Sequence, residues 1–436
     1  MQDAMIWRRM LGLGPETVVE KVVSEGEALV ARVRPRRGVP LRCGRCGRRG
    51  LYLDAGEGRR RWRALDAGSR QVFLEAEAPR VSCPEHGATV AAVAWARHKA
   101  RHTFEFEQTV TWLARYCAKS MVAFLFRVAW ETIGAIVTRV MSDVDALGAD
   151  RFDNVRRIGI DEVSYQKGHK YLVVVVNHAN GRLLWVGKGR TKKTLGEFFA
   201  ALGEERCARI ALVSADGADW IADMVGLNCP NAKLCLDPFH AVKWVTEALD
   251  ALRRRVAAEA RAAKDVTLLE MVSNSRWAVL KNPARLTANQ KRKLADIQKV
   301  NNPLYRGWLL KEQFRQIFAP GGAERIQALD EWLVWASHSR IPEFVKVARK
   351  IRPYYEDLAA TLTHGLSNAI VEGLNSRVRL LIAIARGFRS AQALMALMQL
   401  HLGVYQPTLP GRSRPRAAAP PSGRLATDYP PSPRTA

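Results

Sequence analysis

The chain has 436 residues, 48% of them hydrophobic and 25% charged, which is material for two or three packed domains with the balance of a soluble globular protein. No apolar run is long and uncharged enough to span a bilayer, and the N-terminal Met-Gln-Asp-Ala-Met-Ile-Trp-Arg-Arg lacks the apolar core of a secretory signal, so a cytoplasmic protein with no membrane partner is expected. Lys and Arg number 68 against 42 Asp and Glu, a net charge of +26, and that excess favours a polyanionic partner, nucleic acid first. Arginine enrichment from a GC-rich genome accounts for Arg over Lys but not for the shortage of acids.

Residues 1–100 read as short β-like runs separated by Gly, Pro and Arg. Within them stand Cys43-Gly-Arg-Cys46-Gly and Cys83-Pro-Glu-His86-Gly. Two such knuckles separated by a β-rich stretch can place four N and S ligands in a tetrahedron around zinc. His86 stands where many such sites carry cysteine. The other four of the seven cysteines, Cys117, Cys207, Cys229 and Cys235, lie in apolar or helical surroundings and are expected to be small core residues.

From about residue 103 the period becomes helical. Residues 106–116 form one amphipathic stretch, 120–126 a second, opened by a Ser120 cap, and 130–141 a third, with Ile133, Ile136, Val137 and Val140 on one face. A short helix, a tight connection and a longer helix outline a helix-turn-helix. In it Trp130, Glu131, Thr132 and Arg139 would face the major groove of double-stranded DNA. An ordinary helical linker is the alternative, and the zinc knuckles and basic charge favour DNA binding.

Buried strands follow, at 155–163, 169–177 and 182–187, with Asn180-Gly181 as the hairpin turn between the last two. A helix over 191–205 starting at Thr191, a strand over 209–216, a short helix at 220–225 and a strand over 232–237 come next. Three hairpin-linked strands, then helix, strand, helix, strand, is the order of a ribonuclease H-like mixed sheet. Residues 239–355 read as basic helices, with the charge runs Arg253-Arg-Arg and Lys291-Arg-Lys and one break at Pro320-Gly-Gly. Helices over 367–383 and 391–402 precede a Pro-, Arg-, Ser- and Ala-rich tail expected to be disordered.

Three carboxylates stand out against this frame. Asp161 lies at the end of the first buried strand, where a charge is costly unless ligated or hydrogen-bonded. Alternation sends it and Glu162 to opposite faces. Asp216 ends the fourth strand, which neighbours the first in this fold, and Gly217 lets the chain turn. Glu372 shares a helix face with Asn368, Asn375 and Arg379, at spacings of three and four. Two magnesium ions about 4 Å apart can activate one oxygen and stabilise another in phosphodiester chemistry if carboxylates on rigid elements hold them. Asp161 and Asp216 would bridge or flank both ions and Glu372 would hold one. Asp237, at the end of the fifth strand, is a rival for Asp216, and His240 is the less suited ligand because magnesium prefers oxygen.

Asp161-Glu-x-Ser-Tyr-x-Lys-Gly-His, Ser-Ala-Asp216-Gly, Asp237-Pro-Phe-His240-Ala-Val-Lys and Ser-Asn368-x-x-Val-Glu372-Gly-x-Asn resemble the ISL-three family of bacterial insertion-sequence transposases. So do the Cys-Pro knuckle followed by Trp-Ala, the Phe-x-Phe-Glu at 104–107, and Leu-Lys-Asn-Pro before Leu-Lys-Glu-x-Phe-Arg. The resemblance runs through roughly the first four hundred residues. It implies a multidomain α/β chain: a zinc-binding module (1–100), a helix-turn-helix (101–150), a ribonuclease H-like core (151–240), a basic helical insertion (241–360), final core helices (361–404) and a disordered tail (405–436). Catalysis falls to Asp161, Asp216 and Glu372 with two magnesium ions, zinc to Cys43, Cys46, Cys83 and His86, and DNA contact to the helix-turn-helix and Arg379. Asp237-Pro-Phe-His240 also resembles the Asp/Cys-x2-His motif of Mutator and hAT transposases. The expected activity is cleavage at terminal inverted repeats and strand transfer to target DNA by a dimer or higher assembly on the bacterial nucleoid. A catalytically silent regulator descended from such an enzyme, or a resolving nuclease of the same core, is the alternative.

Overall fold

A computed structural model describes residues 2–146, 151–319, 324–385, 388, 390–405, 407 and 409–412. The chain divides into two compact units, 1–143 and 144–405, the first also counting the segment after 405. No single helix among the described residues is long and apolar enough to cross a membrane.

The first unit opens with α1 (Gln2–Met10), a helix that the β-rich reading of this region missed. Strands β1 (Thr17–Glu25), β2 (Ala28–Pro35), β4 (Arg59–Ala67) and β5 (Arg70–Glu77) form a sheet in the order β1-β2-β5-β4. Strands β3 (Leu51–Asp54), β6 (Arg80–Cys83) and β7 (Gly87–Val90) form a second, smaller sheet. The core against the four-stranded sheet is built on Val33, Trp62, Val72, Leu74 and Trp95. Three helices follow, α2 (Phe104–Tyr116), α3 (Lys119–Phe126) and α4 (Trp130–Ala146). Thr103 caps α2 through its side chain. Ser120, expected as the cap of α3, lies inside the helix instead, and Ala118 takes the capping position without a side-chain bond. Cys117 is exposed just past α2 rather than a core residue, while Cys207, Cys229 and Cys235 are buried as expected.

The second unit is built on a mixed five-stranded sheet. Its strands are β8 (Arg157–Gln166), β9 (Lys170–Asn177), β10 (Arg182–Lys188), β11 (Leu212–Ala215) and β12 (Lys233–Leu236), in the order β10-β9-β8-β11-β12. The valines at 173–176 are fully buried, as a central strand covered on both faces requires. Strands β8, β9 and β10 are antiparallel neighbours, whereas β11 runs parallel to both β8 and β12. The fourth strand of this sheet therefore does lie beside the first. Several boundaries differ from the sequence reading, among them that of the strand expected over 209–216, which spans only Leu212–Ala215. Strand β8 continues to Gln166, so Asp161 sits in its middle, not at its end. The expected single helix over 191–205 breaks at Gly203, whose φ of 83° belongs to glycine, into α5 (Lys192–Leu202) and α6 (Glu204–Arg209).

Helix α7 (Asp219–Asn228) joins β11 to β12, and α8 (Pro238–Ala262) leads into an all-helical region. That region comprises α9 (Val266–Ser273), α10 (Arg276–Leu280), α11 (Ala288–Val300), α12 (Asn302–Ile317), α13 (Arg325–Ser337) and α14 (Pro342–Ile351). Its own core gathers Leu249 and Leu252 of α8, Leu310 and Phe314 of α12, Trp332 of α13 and Phe344 of α14. One of its expected features changes. Arg253, Arg254 and Arg255 are held by acids of the region, the first two by Asp250 and the third by Glu343 and Glu259. The break at Pro320-Gly321-Gly322 lies outside the described residues, as does nearly all of the tail.

The chain returns to the sheet through α15 (Tyr355–His364), α16 (Ala369–Ile384) and α17 (Ala391–Leu402). Thr361 Oγ1 of α15 donates to the Leu236 carbonyl at the end of β12 (2.8 Å). Helix α16 lies directly on β8. A side chain at Gly159 would meet Val371 Cγ2 at 2.4 Å, His178 Nε2 at 3.0 Å and Ser214 Oγ at 3.1 Å, so only glycine permits this approach. Gly159→Ala is expected to cost about 1–3 kcal/mol by overpacking, read by urea unfolding, and adding Val371→Ala should recover part of that loss.

Candidate functional site

The middle of one strand, the ends of two others and one helix supply the acidic and amide side chains of the site in the second unit. Asp161 projects from the middle of β8, Asp216 follows β11, and Asp237 follows β12. Asp161 Oδ1 accepts from the Glu162 amide (2.7 Å) and Oδ2 accepts from Asn375 Nδ2 on α16 (2.8 Å). Burial pushes the Asp161 carboxyl up to about 6; the neighbouring charges of Asp216 and Asp237 add to the rise, against the Glu162 amide and His240. Asp237, 4% exposed, accepts from the Asn368 amide (3.4 Å) through one oxygen and pairs with His240 Nδ1 (3.2 Å) through the other. That bond holds the His240 imidazole above its ordinary pKa.

Asn368 is the knot of this arrangement. Its Oδ1 accepts from the Ser214 hydroxyl, and its Nδ2 donates to the Ile160 carbonyl (3.4 Å). Since the Ser214 proton is committed to Asn368, His178 Nε2 must donate to Ser214 Oγ (2.7 Å). A hydrogen-bonded line thus runs from His178 through Ser214 and Asn368 to Asp237 and His240. Glu372 stands in the first turn of α16, four residues after Asn368 and three before Asn375, on the helix face that those two buried amides define. It is exposed, as is Arg379 further along. Glu162 is half-buried and paired with Arg190 (2.6 Å).

Three buried oxygens here have no hydrogen-bond partner: Asp216 Oδ1, Glu162 Oε1 and Asn375 Oδ1. An unsatisfied buried acceptor costs roughly 1–3 kcal/mol, and a hard cation that takes oxygen ligands would relieve that cost at Asp216 and Asn375. The turn after Asp216 is held from below by a feature that the sequence did not reveal. Tyr354 Oη donates to the Gly217 carbonyl (3.3 Å) and to Asp219 Oδ1 (3.2 Å). A side chain at Gly217 would meet the Trp244 ring at 2.9 Å.

In the first unit the ligand atoms of Cys43, Cys46, Cys83 and His86 all lie within 4.8 Å of one another. Cys46 Sγ is 3.7 Å from Cys83 Sγ, and His86 Nδ1 is 3.9 Å from Cys43 Sγ and 3.8 Å from Cys83 Sγ. A tetrahedron with zinc–sulfur bonds of about 2.3 Å has edges of roughly 3.8 Å, so the donor set fits zinc. The His86 ring, with the Glu85 and His86 amides, pulls the Cys83 thiol below its ordinary pKa, towards the thiolate that a metal needs. Gly47, at φ 70°, closes the first knuckle by donating its amide to the Cys43 carbonyl (2.9 Å).

Helices α3 and α4 meet at 100°, the crossing of a helix-turn-helix, with Arg127 in the left-handed conformation at the turn. Glu131 is exposed, Thr132 is half-buried, and Trp130 is half-buried beneath the Lys119 ammonium, 3.8 Å from the ring centre. Arg139 departs from the outward orientation expected of it. Its guanidinium turns to Glu107 of α2 (Nε–Oε1 3.0 Å), a carboxylate with no exposure that also takes Arg97 (3.0 Å). A buried acid needs such partners, and this one holds α2 to α4.

Three family models match the chain. One described as transposase covers residues 158–398, one for the zinc-finger of transposase IS204/IS1001/IS1096/IS1165 covers 40–86, and one for the helix-turn-helix domain of transposase family ISL3 covers 91–141. The chain belongs to the ISL3 family of transposases. It is 49% identical to the transposase for insertion sequence element IS1557 of Mycobacterium tuberculosis, over 94% of this chain and 98% of that protein. It is 27% identical to the transposase for insertion sequence element IS1001 of Bordetella parapertussis, over 74% and 79% of the two chains. The transposase model takes in every strand of the mixed sheet, the helical region and α16. The zinc-finger model ends on His86, so the histidine ligand falls within the matched segment. Chelation of the purified transposase, or Cys46→Ser, is expected to release bound zinc and lower the thermal midpoint of the first unit, as read by metal analysis and calorimetry.

Proposed function

We propose that this transposase binds the terminal inverted repeats of its own insertion sequence, cuts the DNA at the element ends and joins the freed 3′-hydroxyls to a target phosphodiester. What supports the reading is that Asp161 and Asp216 belong to adjacent parallel strands and that Asn375, three residues after Glu372 on α16, donates to Asp161. The sheet order β10-β9-β8-β11-β12 with its flanking helices supports a ribonuclease H-like core, divided into 151–240 and 361–404 by a helical insertion over 241–360.

Asp161, Asp216 and Glu372 would hold two magnesium ions, which supply an activated oxygen nucleophile and charge stabilisation at the leaving oxygen. Asp216 stands ahead of Asp237 because β11, not β12, lies beside β8 and because its Oδ1 is left free while both oxygens of Asp237 are engaged. His240 is bound to Asp237 and is better placed to meet a DNA phosphate than a magnesium ion. The zinc-binding module (1–100) and the helix-turn-helix (101–150) would read the repeats, with Trp130, Glu131 and Thr132 towards the bases. A cleft lined by Arg45, Arg60 and Lys99 supports phosphate contact beside them. Synapsis of two ends calls for at least a dimer on DNA.

With end-bearing DNA and magnesium, Asp161→Asn and Asp216→Asn are each expected to lower cleavage by roughly a thousandfold or more while leaving DNA binding near the parent level. A parent protein that binds the ends but leaves them uncut under these conditions would instead be a silent regulator. Asp216→Asn cleaving as fast as the parent would overturn the metal assignment. The same site carries a pH dependence. In the metal-free protein Asp161 holds its proton up to about pH 6, so the proton competes with metal below that value. Divalent-ion affinity measured by calorimetry should therefore fall as pH drops through 6, by up to about tenfold per unit. The sign for stability is the reverse. A carboxyl whose folded pKa is raised favours the metal-free fold at low pH, and that contribution is lost as pH rises through about 6.

A further inference from the structure

We propose that Asn375 is an additional metal-contacting residue of the carboxylate site, its Oδ1 serving as a neutral oxygen ligand beside Asp161 and Asp216. The inference rests on the metal-binding reading above and extends it to a residue outside the acidic triad. Asn375 is 2% exposed, and its side chain is oriented without ambiguity. A carboxylate can only accept, so the atom 2.8 Å from Asp161 Oδ2 must be the amide nitrogen, which leaves the amide oxygen as the branch not bonded to Asp161. That oxygen is buried and meets no donor, and Asp216 Oδ1 is buried and unpartnered as well.

A purely structural asparagine at this position would normally have both ends satisfied, because a lone buried acceptor is destabilising. Asn368, seven residues earlier on the same helix face, shows what satisfaction looks like: its Oδ1, Nδ2 and backbone amide all have partners. Asn375 uses its nitrogen to aim Asp161 and leaves its oxygen unused. Amide oxygens are ordinary ligands for hard divalent cations, and a neutral one adds coordination without adding further negative charge beside Asp161 and Asp216, which already repel each other.

The test uses the zinc-loaded full chain without DNA, with Mn2+ as the probe, followed by electron paramagnetic resonance and by the metal-induced shift in melting temperature. Asp161→Asn, Asn375→Leu and Asn375→Asp are compared with the parent. The expected result is that Asp161→Asn and Asn375→Leu each weaken Mn2+ binding by about tenfold or more, whereas Asn375→Asp binds at least as tightly as the parent. Asn375→Asp keeps the oxygen and loses the amide donor, so it separates the two duties of the residue. Parent-like affinity in Asn375→Leu, or an Asn375→Asp variant as weak as Asn375→Leu, overturns the proposal. Parent-like affinity in Asp161→Asn sinks the carboxylate metal site itself. If Asn375→Leu does not fold by circular dichroism, Asn375→Asp against the parent decides alone, and weaker binding there overturns the proposal.

Discussion

Helix α16 can lie on the middle of β8 because residue 159 has no side chain. At that point Val371 occupies the space a Cβ would need, and the helix comes close enough for Asn375 to reach Asp161 and for Asn368 to reach the Ile160 carbonyl. Everything assembled around Asp161 depends on this contact. The two amides fix the rotation of the helix about its axis and its height along the strand, and so fix where Glu372 emerges. A rise of 1.5 Å per residue places Glu372 about 6 Å from Asn368 and about 4.5 Å from Asn375 along the axis.

The arrangement also has an electrostatic cost. Asp161 and Asp237 are taken out of water near Asp216, and like charges at short range in a poorly hydrated site repel. The protein offsets part of this with donors: the Glu162 amide and Asn375 on Asp161, the Asn368 amide and His240 on Asp237. Asp216 receives the least, since one of its oxygens has no donor at all. The remaining deficit is what the proposed cations would relieve. The turn bearing Asp216 is meanwhile kept in place by Tyr354 and Trp244, which belong to the two ends of the helical region. That region supports the sheet as well as extending from it.

Much of this was legible in the amino-acid sequence, for identifiable reasons. A run of valines, an Asn-Gly turn and the order of strands and helices define the sheet, because a buried strand and a hairpin each leave a local mark. The spacing Asn368, Glu372, Asn375 reveals a polar helix face for the same reason. What could not be read was the partner across space. Arg139 looks outward by helical phase, yet Glu107 is buried close enough to turn it inward. Arg253 to Arg255 look like a free cationic run, but Asp250, Glu259 and Glu343 engage them. Tyr354 carries no pattern that links it to Gly217, 137 residues earlier. Ser120 is a good capping residue two positions too late, since the backbone leaves its extended conformation at Ala118.

The hydrogen bond between Asp161 and Asn375 joins residues 214 positions apart. On a ribosome, that separation is time. The zinc-binding module and the helix-turn-helix emerge first and have their own core, while β8 waits for most of the remaining chain before α16 can cover it. A chain that terminates early, by frameshift or nonsense mutation between residues 151 and 366, therefore retains the parts proposed to hold DNA and lacks the helix that completes the carboxylate site. Such fragments would occupy element ends without cutting them, so an insertion sequence of this design carries in its own reading frame the means to produce a competitor of itself.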